Sequence, residues 1–317
     1  MKGPFFYAVY YWELQWLYPI IKKSGWPVLA DSEEAKEFCA KFQFETITIE
    51  QARDGYDKLV LCVVHYGQHK NMVNEWWDNN KQIFVIQRAF DTSILIYNEF
   101  WGALVNRFMK CFIASQFDHE LLQPKYGDKI IFSGSPRLHM ANIAPQKNLS
   151  EIYKKVGTNK FFVVTVIGGL PIHEDSLVDF YHKQLPLLSP IKLVYKLHHG
   201  ADLGYYNTTY PENYYWVDAK DDVWETYKLV AASQGVITPS SFLAIEATIM
   251  KKPVIFYGDV HPDEYARQAG QKQELRLPRD MSSSLVKPEF TSKQAEIRSS
   301  YKFGKESTDK IIFEILN

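Results

Sequence analysis

Short apolar runs alternate with stretches of helical length along most of the chain, and this alternation restricts the fold more than any other feature. Each apolar run is too short for a helix. In the first half, the runs predict strands over 5–10, 26–29, 46–49, 58–64, 82–86, 111–114 and 129–132. Helices are predicted over 12–23, 32–42, 67–79 and 98–109, with Ser32 as an N-cap. The pattern is typical of a parallel sheet with crossover helices.

A second series of the same kind follows the stretch 134–150, whose Pro136, Pro145 and polar residues indicate an interdomain connection. Its strands are predicted over 160–167, 191–197, 215–217, 235–237 and 253–257, with helices over 176–184, 223–232 and 242–250. A chain of 317 residues is longer than a single hydrophobic core usually supports. We therefore predict Rossmann-like domains over 1–145 and 146–295, and a last helix within 296–317 that packs back on the first domain.

Composition restricts the partners and the compartment. The 36 basic and 37 acidic residues nearly cancel, so no overall field attracts nucleic acid or an anionic membrane. Three cysteines without paired spacing fit a reducing compartment better than a disulfide scaffold. Glu13 interrupts the apolar N-terminus early, and this argues against a signal peptide or a transmembrane segment. The sequence thus predicts a cytoplasmic protein.

The segment from Gly235 to Asp259 contains the first candidate site. A strand ends at Thr238, Ser240 and Ser241 lie in a turn, and an apolar helix follows. The helix N-terminus then opens at the carboxyl edge of a parallel sheet, where ligands bind in open α/β folds. Its free N–H groups and the two hydroxyls suit a diphosphate, although an ordinary serine N-cap explains the same pattern.

Glu246 is the only charged residue in 242–250, which is otherwise nearly all apolar. A carboxylate buried there needs a partner, because an unpaired buried charge costs several kcal/mol or shifts its pKa. The hydroxyls of a ribose supply two donors. The alternatives are a Lys or Arg from elsewhere in the chain, or a helix that turns Glu246 towards solvent.

The turn, the serine, the glutamate and the strand KKPVIFY together resemble the nucleotide-sugar site of the UDP-N-acetylglucosamine 2-epimerase family. They are also similar to bacterial CDP-glycerol glycerophosphotransferases and capsule glycosyltransferases. Three further segments resemble these families in the same order: KIIFSGSPRL, LVYKLHHG and YKFGKESTDKI. The resemblance implies an α/β fold of the glycosyltransferase-B type, in which two Rossmann-like domains face a cleft. It also implies a phosphate contact for the serine and a ribose contact for Glu246.

Four more residues are candidates on the donor side. Lys196 and His198 lie at the carboxyl end of a strand, where His198 can stabilise charge on a departing diphosphate. The related families carry a histidine there, but Gly200 replaces the proline or Asn-Pro that follows it in them. Arg137 resembles the arginine of their Gly-Asn-Pro-Arg segment and is placed at a phosphate, an acceptor or a hinge salt bridge. Gly168 suits close approach of the backbone to the ligand, or a tight turn.

The first domain is predicted to hold the acceptor and the catalytic base, with His65, Asp91 and Glu99 as candidates. In this domain the sequence departs from the motifs of the related families. The epimerases carry His-Gly-Asp and His-x-Glu-Ala-Gly, whereas this chain has VHYGQH and VIQRAFD. The Trp-His-Gly of the glycerophosphotransferases is also missing.

These departures favour a glycosyltransferase that moves a sugar from a nucleotide-activated donor to an unknown carbohydrate or lipid-linked acceptor. Asp91 or Glu99 takes the acceptor proton in this scheme. No metal or other cofactor is expected, because no Asp-x-Asp triplet is present to hold a divalent ion. A 2-epimerase-like enzyme and a CDP-polyol phosphotransferase are the alternatives, and a catalytically silent binding protein is a third.

Overall fold

The structure, a computed structural model, describes residues 3–62, 67–87, 105–165, 191–197, 203–209, 214–217, 222–238, 241–256 and 288–317. The chain divides into two compact units. The first combines Met1–His139 with Ser300–Asn317, and the second is Met140–Ser299.

The first unit is built on a parallel sheet with the strand order β2-β1-β3-β4-β5-β6. Its strands are β1 (Pro4–Ala8), β2 (Val28–Ala30), β3 (Lys58–Leu61), β4 (Gln82–Ile86), β5 (Lys110–Ile113) and β6 (Ile130–Phe132). Its helices are α1 (Tyr11–Ser24), α2 (Glu33–Phe42), α3 (Ile49–Gly55), α4 (Gly67–Asp78) and α5 (Gln116–Tyr126). Helix α6 (Pro136–Ile143) crosses into the second unit, and α12 (Lys305–Leu316) ends the chain.

The second unit repeats this plan with a parallel sheet of order β11-β10-β7-β8-β9. Its strands are β7 (Phe161–Thr165), β8 (Lys192–Lys196), β9 (Tyr214–Trp216), β10 (Gly235–Thr238) and β11 (Val254–Phe256). Its helices are α7 (Ser150–Val156), α8 (Leu203–Thr209), α9 (Glu225–Ala232), α10 (Leu243–Ile249) and α11 (Ser292–Ser300). Two parallel-sheet Rossmann-like domains therefore make up the chain, and the predicted fold class is confirmed.

The strands form because most of their residues are apolar and buried. Both faces of a parallel sheet are covered, so its strands need apolar side chains on both sides. Strands β1 and β7 are buried along their whole lengths. Helix α2 begins as predicted, since Ser32 Oγ accepts a hydrogen bond from the N–H of Ala35 at 3.2 Å.

The predicted strand over 46–49 is wrong. Only Thr46 bridges to Val28, and helix α3 begins at Ile49. A capping box decides this: Thr48 Oγ1 accepts from the N–H of Gln51 at 3.3 Å, and Gln51 Oε1 accepts from the N–H of Thr48 at 2.8 Å. The apolar run was too short to outweigh that local signal.

The stretch 134–150, predicted as a connection, contains helix α6, a 3₁₀ turn at Ala144–Gln146 and the start of α7. Helix α5 had not been predicted, because its polar residues dilute the apolar pattern. The predicted helix over 98–109 falls mainly outside the described residues.

The last helix, α12, packs against α1 in the first unit. Lys58, a buried residue of β3, donates from Nζ to the carbonyl oxygens of Ile315 and Leu316 at 2.6 and 2.9 Å. Lys110 of β5 donates to the carbonyl oxygen of Glu314 at 2.9 Å and to its carboxylate at 2.7 Å. These two lysines satisfy carbonyl groups that a helix C-terminus otherwise leaves open.

None of the helices in the described residues is both long enough and apolar enough to cross a bilayer.

Candidate functional site

In the second unit, polar side chains gather at the carboxyl edge of the sheet. Thr165 ends β7 and Thr238 ends β10, and their hydroxyls are 2.6 Å apart. Lys196 ends β8 in register with Thr165. Ser241 follows Thr238 by three residues. The two threonines had not been predicted as site residues, and only their shared place at the ends of neighbouring strands marks them.

Ser241 organises the start of α10. Its Oγ accepts from the N–H of Leu243 at 3.2 Å, and its carbonyl oxygen accepts from the N–H of Ala244 at 3.0 Å. The N-cap position of α10 is Phe242, which makes no side-chain cap hydrogen bond, and Ser241 lies one residue before it. The phosphate contact of the serine turn therefore stays a prediction. Ser240, the other predicted hydroxyl, lies outside the described residues.

Glu246 lies in the middle of a helix whose seven residues are all buried. It is 1% exposed, so the alternative in which this carboxylate faces solvent is wrong. Its backbone N–H donates to the carbonyl oxygen of Phe242 at 3.2 Å, as in a regular helical turn. A charged group at this depth requires polar partners.

The remaining donor-side candidates divide between the units. Lys196 Nζ lies 3.5 Å from the carbonyl oxygen of Leu197, at the same edge as the threonines. Arg137 belongs to helix α6 in the first unit, where its guanidinium lies over the indole ring of Trp16 at 3.8 Å. Stacking on an aromatic face holds an arginine in one orientation. His198 and Gly168 fall outside the described residues.

The catalytic candidates of the first unit, His65, Asp91 and Glu99, also lie outside the described residues. What the structure does describe at the carboxyl edge of the first sheet is a polar cluster that sequence reasoning missed. It consists of Gln87 after β4, Ser115 and Asp118 at the start of α5, and Tyr301 from the returning C-terminal segment. We call these four residues the Asp118 cluster.

Hydrogen bonds connect the Asp118 cluster. Gln87 Nε2 donates to Asp118 Oδ2 at 2.7 Å, and Gln87 Oε1 accepts from the N–H of Ala114 at 3.1 Å. Ser115 Oγ caps α5 by accepting from the N–H of Asp118 at 3.3 Å. Ser115 also pairs with Tyr301 through a β-bridge and a side-chain hydrogen bond. The cluster thus brings together three segments that are far apart in sequence.

Burial raises the pKa of Asp118 from 3.8 to about 6, and the hydrogen bond from Gln87 opposes part of that rise. The folded state therefore holds this proton between pH 4 and 6, where the unfolded chain has lost it. The free energy of unfolding falls as the pH rises through that window, and above pH 6 the folded protein bears the full cost of ionising Asp118. Burial raises the pKa of the Cys111 thiol to about 12, and the negative charge of Asp118 adds to that rise.

We expect Asp118→Asn to raise the free energy of unfolding at pH 7.5 by roughly 2–3 kcal/mol, because the amide removes the cost of a partly buried charge. The gain should shrink to almost nothing below pH 4. Urea unfolding at pH 4, 6 and 7.5 measures it. Glu120→Gln, on the exposed side of the same helix, is the matched control and should change little. A gain that is equal at every pH would contradict the raised pKa.

No protein-family model and no curated protein sequence matches the chain. Solved structures match over nearly the whole length. MnaA from S. aureus, solved with UDP, superposes with a TM-score of 0.69 at 13% identity, covering 99% of this chain and 96% of that chain. The fold is of the glycosyltransferase-B type.

Two further structures support this assignment. The UDP-GlcNAc 2-epimerase from Neisseria meningitidis, bound to UDP-GlcNAc, has a TM-score of 0.64 at 14% identity and covers 100% of this chain and 99% of that chain. The wall teichoic acid polymerase TagF has a TM-score of 0.61 at 12% identity, covering 99% of this chain and 88% of that chain. The resemblance to both groups of enzymes, predicted from sequence motifs, is confirmed at the level of the fold.

Proposed function

We propose that this protein is an enzyme that acts on a nucleotide-activated sugar and interconverts the sugar in the manner of a 2-epimerase. The observation that carries the proposal is the full-length likeness to UDP-GlcNAc 2-epimerases, including one bound to UDP-GlcNAc. The proposal keeps the cytoplasmic location and the independence of metal that were predicted from the sequence.

The second unit is the proposed binding site for the nucleotide. Thr165, Lys196, Thr238 and Ser241 lie along or just after the carboxyl ends of β7, β8 and β10, which is where open α/β sheets bind ligands. Lys196 supplies a positive charge for a diphosphate, and the hydroxyls supply donors. Glu246 is the proposed partner of the ribose hydroxyls, and Ser240, His198 and Gly168 complete the proposed donor site.

Transfer is the second candidate reaction. TagF, a polymerase, shares the fold over 99% of this chain, and the two epimerase motifs of the first domain are altered here. The sequence alone favoured a glycosyltransferase for that reason, with a 2-epimerase-like enzyme or a CDP-polyol phosphotransferase as the alternatives. The UDP-GlcNAc 2-epimerases match with TM-scores of 0.63–0.64, against 0.61–0.62 for TagF, and we rank interconversion first. In both reactions, His65, Asp91 and Glu99 are the proposed acid–base residues and Arg137 a proposed phosphate ligand.

A panel of nucleotide sugars separates the candidates. Interconversion of the sugar while the nucleotide stays attached or is recaptured supports the epimerase, whereas release of nucleotide that depends on an added carbohydrate or lipid-linked acceptor supports transfer. Binding without turnover supports the silent binding protein. A thermal-shift screen with UDP, CDP, GDP and CMP identifies the base, since a bound nucleotide stabilises the folded state by mass action.

We expect Glu246→Ala to weaken binding of the matching nucleotide by roughly 1.5–3 kcal/mol, the range for a hydrogen bond to a charged group. A 2′,3′-dideoxy nucleotide should bind the wild type more weakly by a similar amount and be almost indifferent to the substitution. Calorimetry on the folded variant measures both. Equal losses for the ribose and the dideoxy ligand would assign Glu246 a structural role instead.

A further inference from the structure

The Asp118 cluster has the placement of a reactive site. Gln87 directly follows β4, and Ser115 is the second residue after β5, so both lie at the carboxyl edge of the first sheet. Asp118, three residues after Ser115, is partly exposed. A ligand at this edge therefore has access to a carboxyl group whose orientation is fixed from one side by Gln87 Nε2 at 2.7 Å.

The groups packed around Asp118 leave it poised between two protonation states. Cys111 of β5 and Tyr301 of the returning segment are the titratable groups that face it among the described residues, and burial raises the pKa of both. Both stay neutral near pH 7. Gln87 donates from an uncharged amide, and such a hydrogen bond stabilises the ionised form of a carboxyl group far less than a paired cation does.

Such a carboxyl group lowers the stability of the folded protein at neutral pH. A residue that costs stability and is nevertheless built into a connected hydrogen-bond arrangement is typical of a functional site. The titration range near pH 6 matches what acid–base catalysis requires, because a group with a pKa near the working pH both accepts and returns a proton readily.

We propose that Asp118, held by Gln87 at the carboxyl edge of the first sheet, is a proton-transferring residue for the sugar substrate. This inference rests on the proposed function. In the step, a carboxylate oxygen of Asp118 forms an O–H bond with a proton from the sugar, and the electron pair of the broken bond stays on the sugar. The return step delivers the proton back, so Asp118 ends each turnover as it began. Gln87 is a positioning residue, which acts through Asp118.

The test compares the wild type with Asp118→Asn on the nucleotide sugar that the panel identifies. The wild type should show an acidic limb in kcat/KM near pH 6. Asp118→Asn should lose about 100-fold or more in kcat, within the usual range for acid–base groups, and lose that limb. Its Kd for the free nucleotide should stay within about threefold, because binding and proton transfer are separate contributions. Glu120→Gln, on the same helix, should keep the wild-type profile.

A second variant tests the hydrogen bond to Asp118 separately. Gln87→Met removes the donor that stabilises and orients the carboxylate, so the acidic limb should move upward by about one pH unit and kcat on the plateau above the limb should also fall. A merely structural role would lower activity without moving the limb. A wild-type profile in either folded variant overturns the inference and leaves the proposed function intact. A wild type that turns over no nucleotide sugar overturns the proposed function, and this inference with it.

Discussion

Replacing Gly134 by alanine is expected to lower the free energy of unfolding of the first unit by roughly 3–4 kcal/mol. Gly134 has φ +87°, a backbone conformation that strains residues with a Cβ. A Cβ there would also lie 2.8 Å from the carbonyl oxygen of Lys302 and against the side chain of Ser307. The Lys302 carbonyl accepts the N–H of Ser135 at 3.0 Å and cannot move away without breaking that bond.

The matched control is Gly25→Ala, also in the first unit. Gly25 has φ +67° at the end of α1, and a Cβ there would meet nothing within 4 Å. The alanine should therefore cost only the backbone strain of about 1–2 kcal/mol. Urea unfolding of both variants, followed by tryptophan fluorescence, separates strain from steric contact. Equal losses would mean that the returning segment at Lys302 yields to the new methyl group.

Glu13→Ala is expected to destabilise the first unit by about 3–5 kcal/mol, the usual cost of removing one partner of a buried ionisable pair. Glu13 is 1% exposed and His69 is not exposed at all. Glu13 Oε2 lies 3.1 Å from His69 Nε2 and accepts the N–H of Val9 at 3.0 Å. The alanine leaves both groups buried without this acceptor, and it opens a cavity beside the ring of Tyr7, which packs on His69.

A double-mutant cycle tests the Glu13 prediction. Glu13→Leu and His69→Leu should each be costly, and the double variant should recover at least about 1–2 kcal/mol relative to the sum, because no polar side chain then stays behind. The exposed pair of Glu33 and Lys36 on α2 is the control, and Glu33→Ala should change stability by no more than about 0.5 kcal/mol. Strict additivity at Glu13 and His69 would show that the two side chains contribute independently.

Most of the fold was predictable because it depends on local patterns. Fully buried strands need continuous apolar runs, so strands such as β1, β4 and β7 are visible in the sequence. Ser32 marks the start of α2 by the same local logic. The error at 46–49 arose where two local signals competed, and the capping box of Thr48 and Gln51 outweighed a short apolar run.

For the candidate site, the sequence by itself determined that a serine turn and an apolar helix with one glutamate follow β10, since these features are consecutive in the chain. Only the tertiary structure decided the rest. Three contacts join residues from distant parts of the chain. Thr165 hydrogen-bonds to Thr238, Lys58 donates to a carbonyl oxygen of α12, and Asp118 lies close to both Gln87 and Tyr301. The physical reason is that a parallel sheet aligns the ends of strands separated by whole crossover helices, so contacts at its edge depend on strand order and register, which no local pattern encodes.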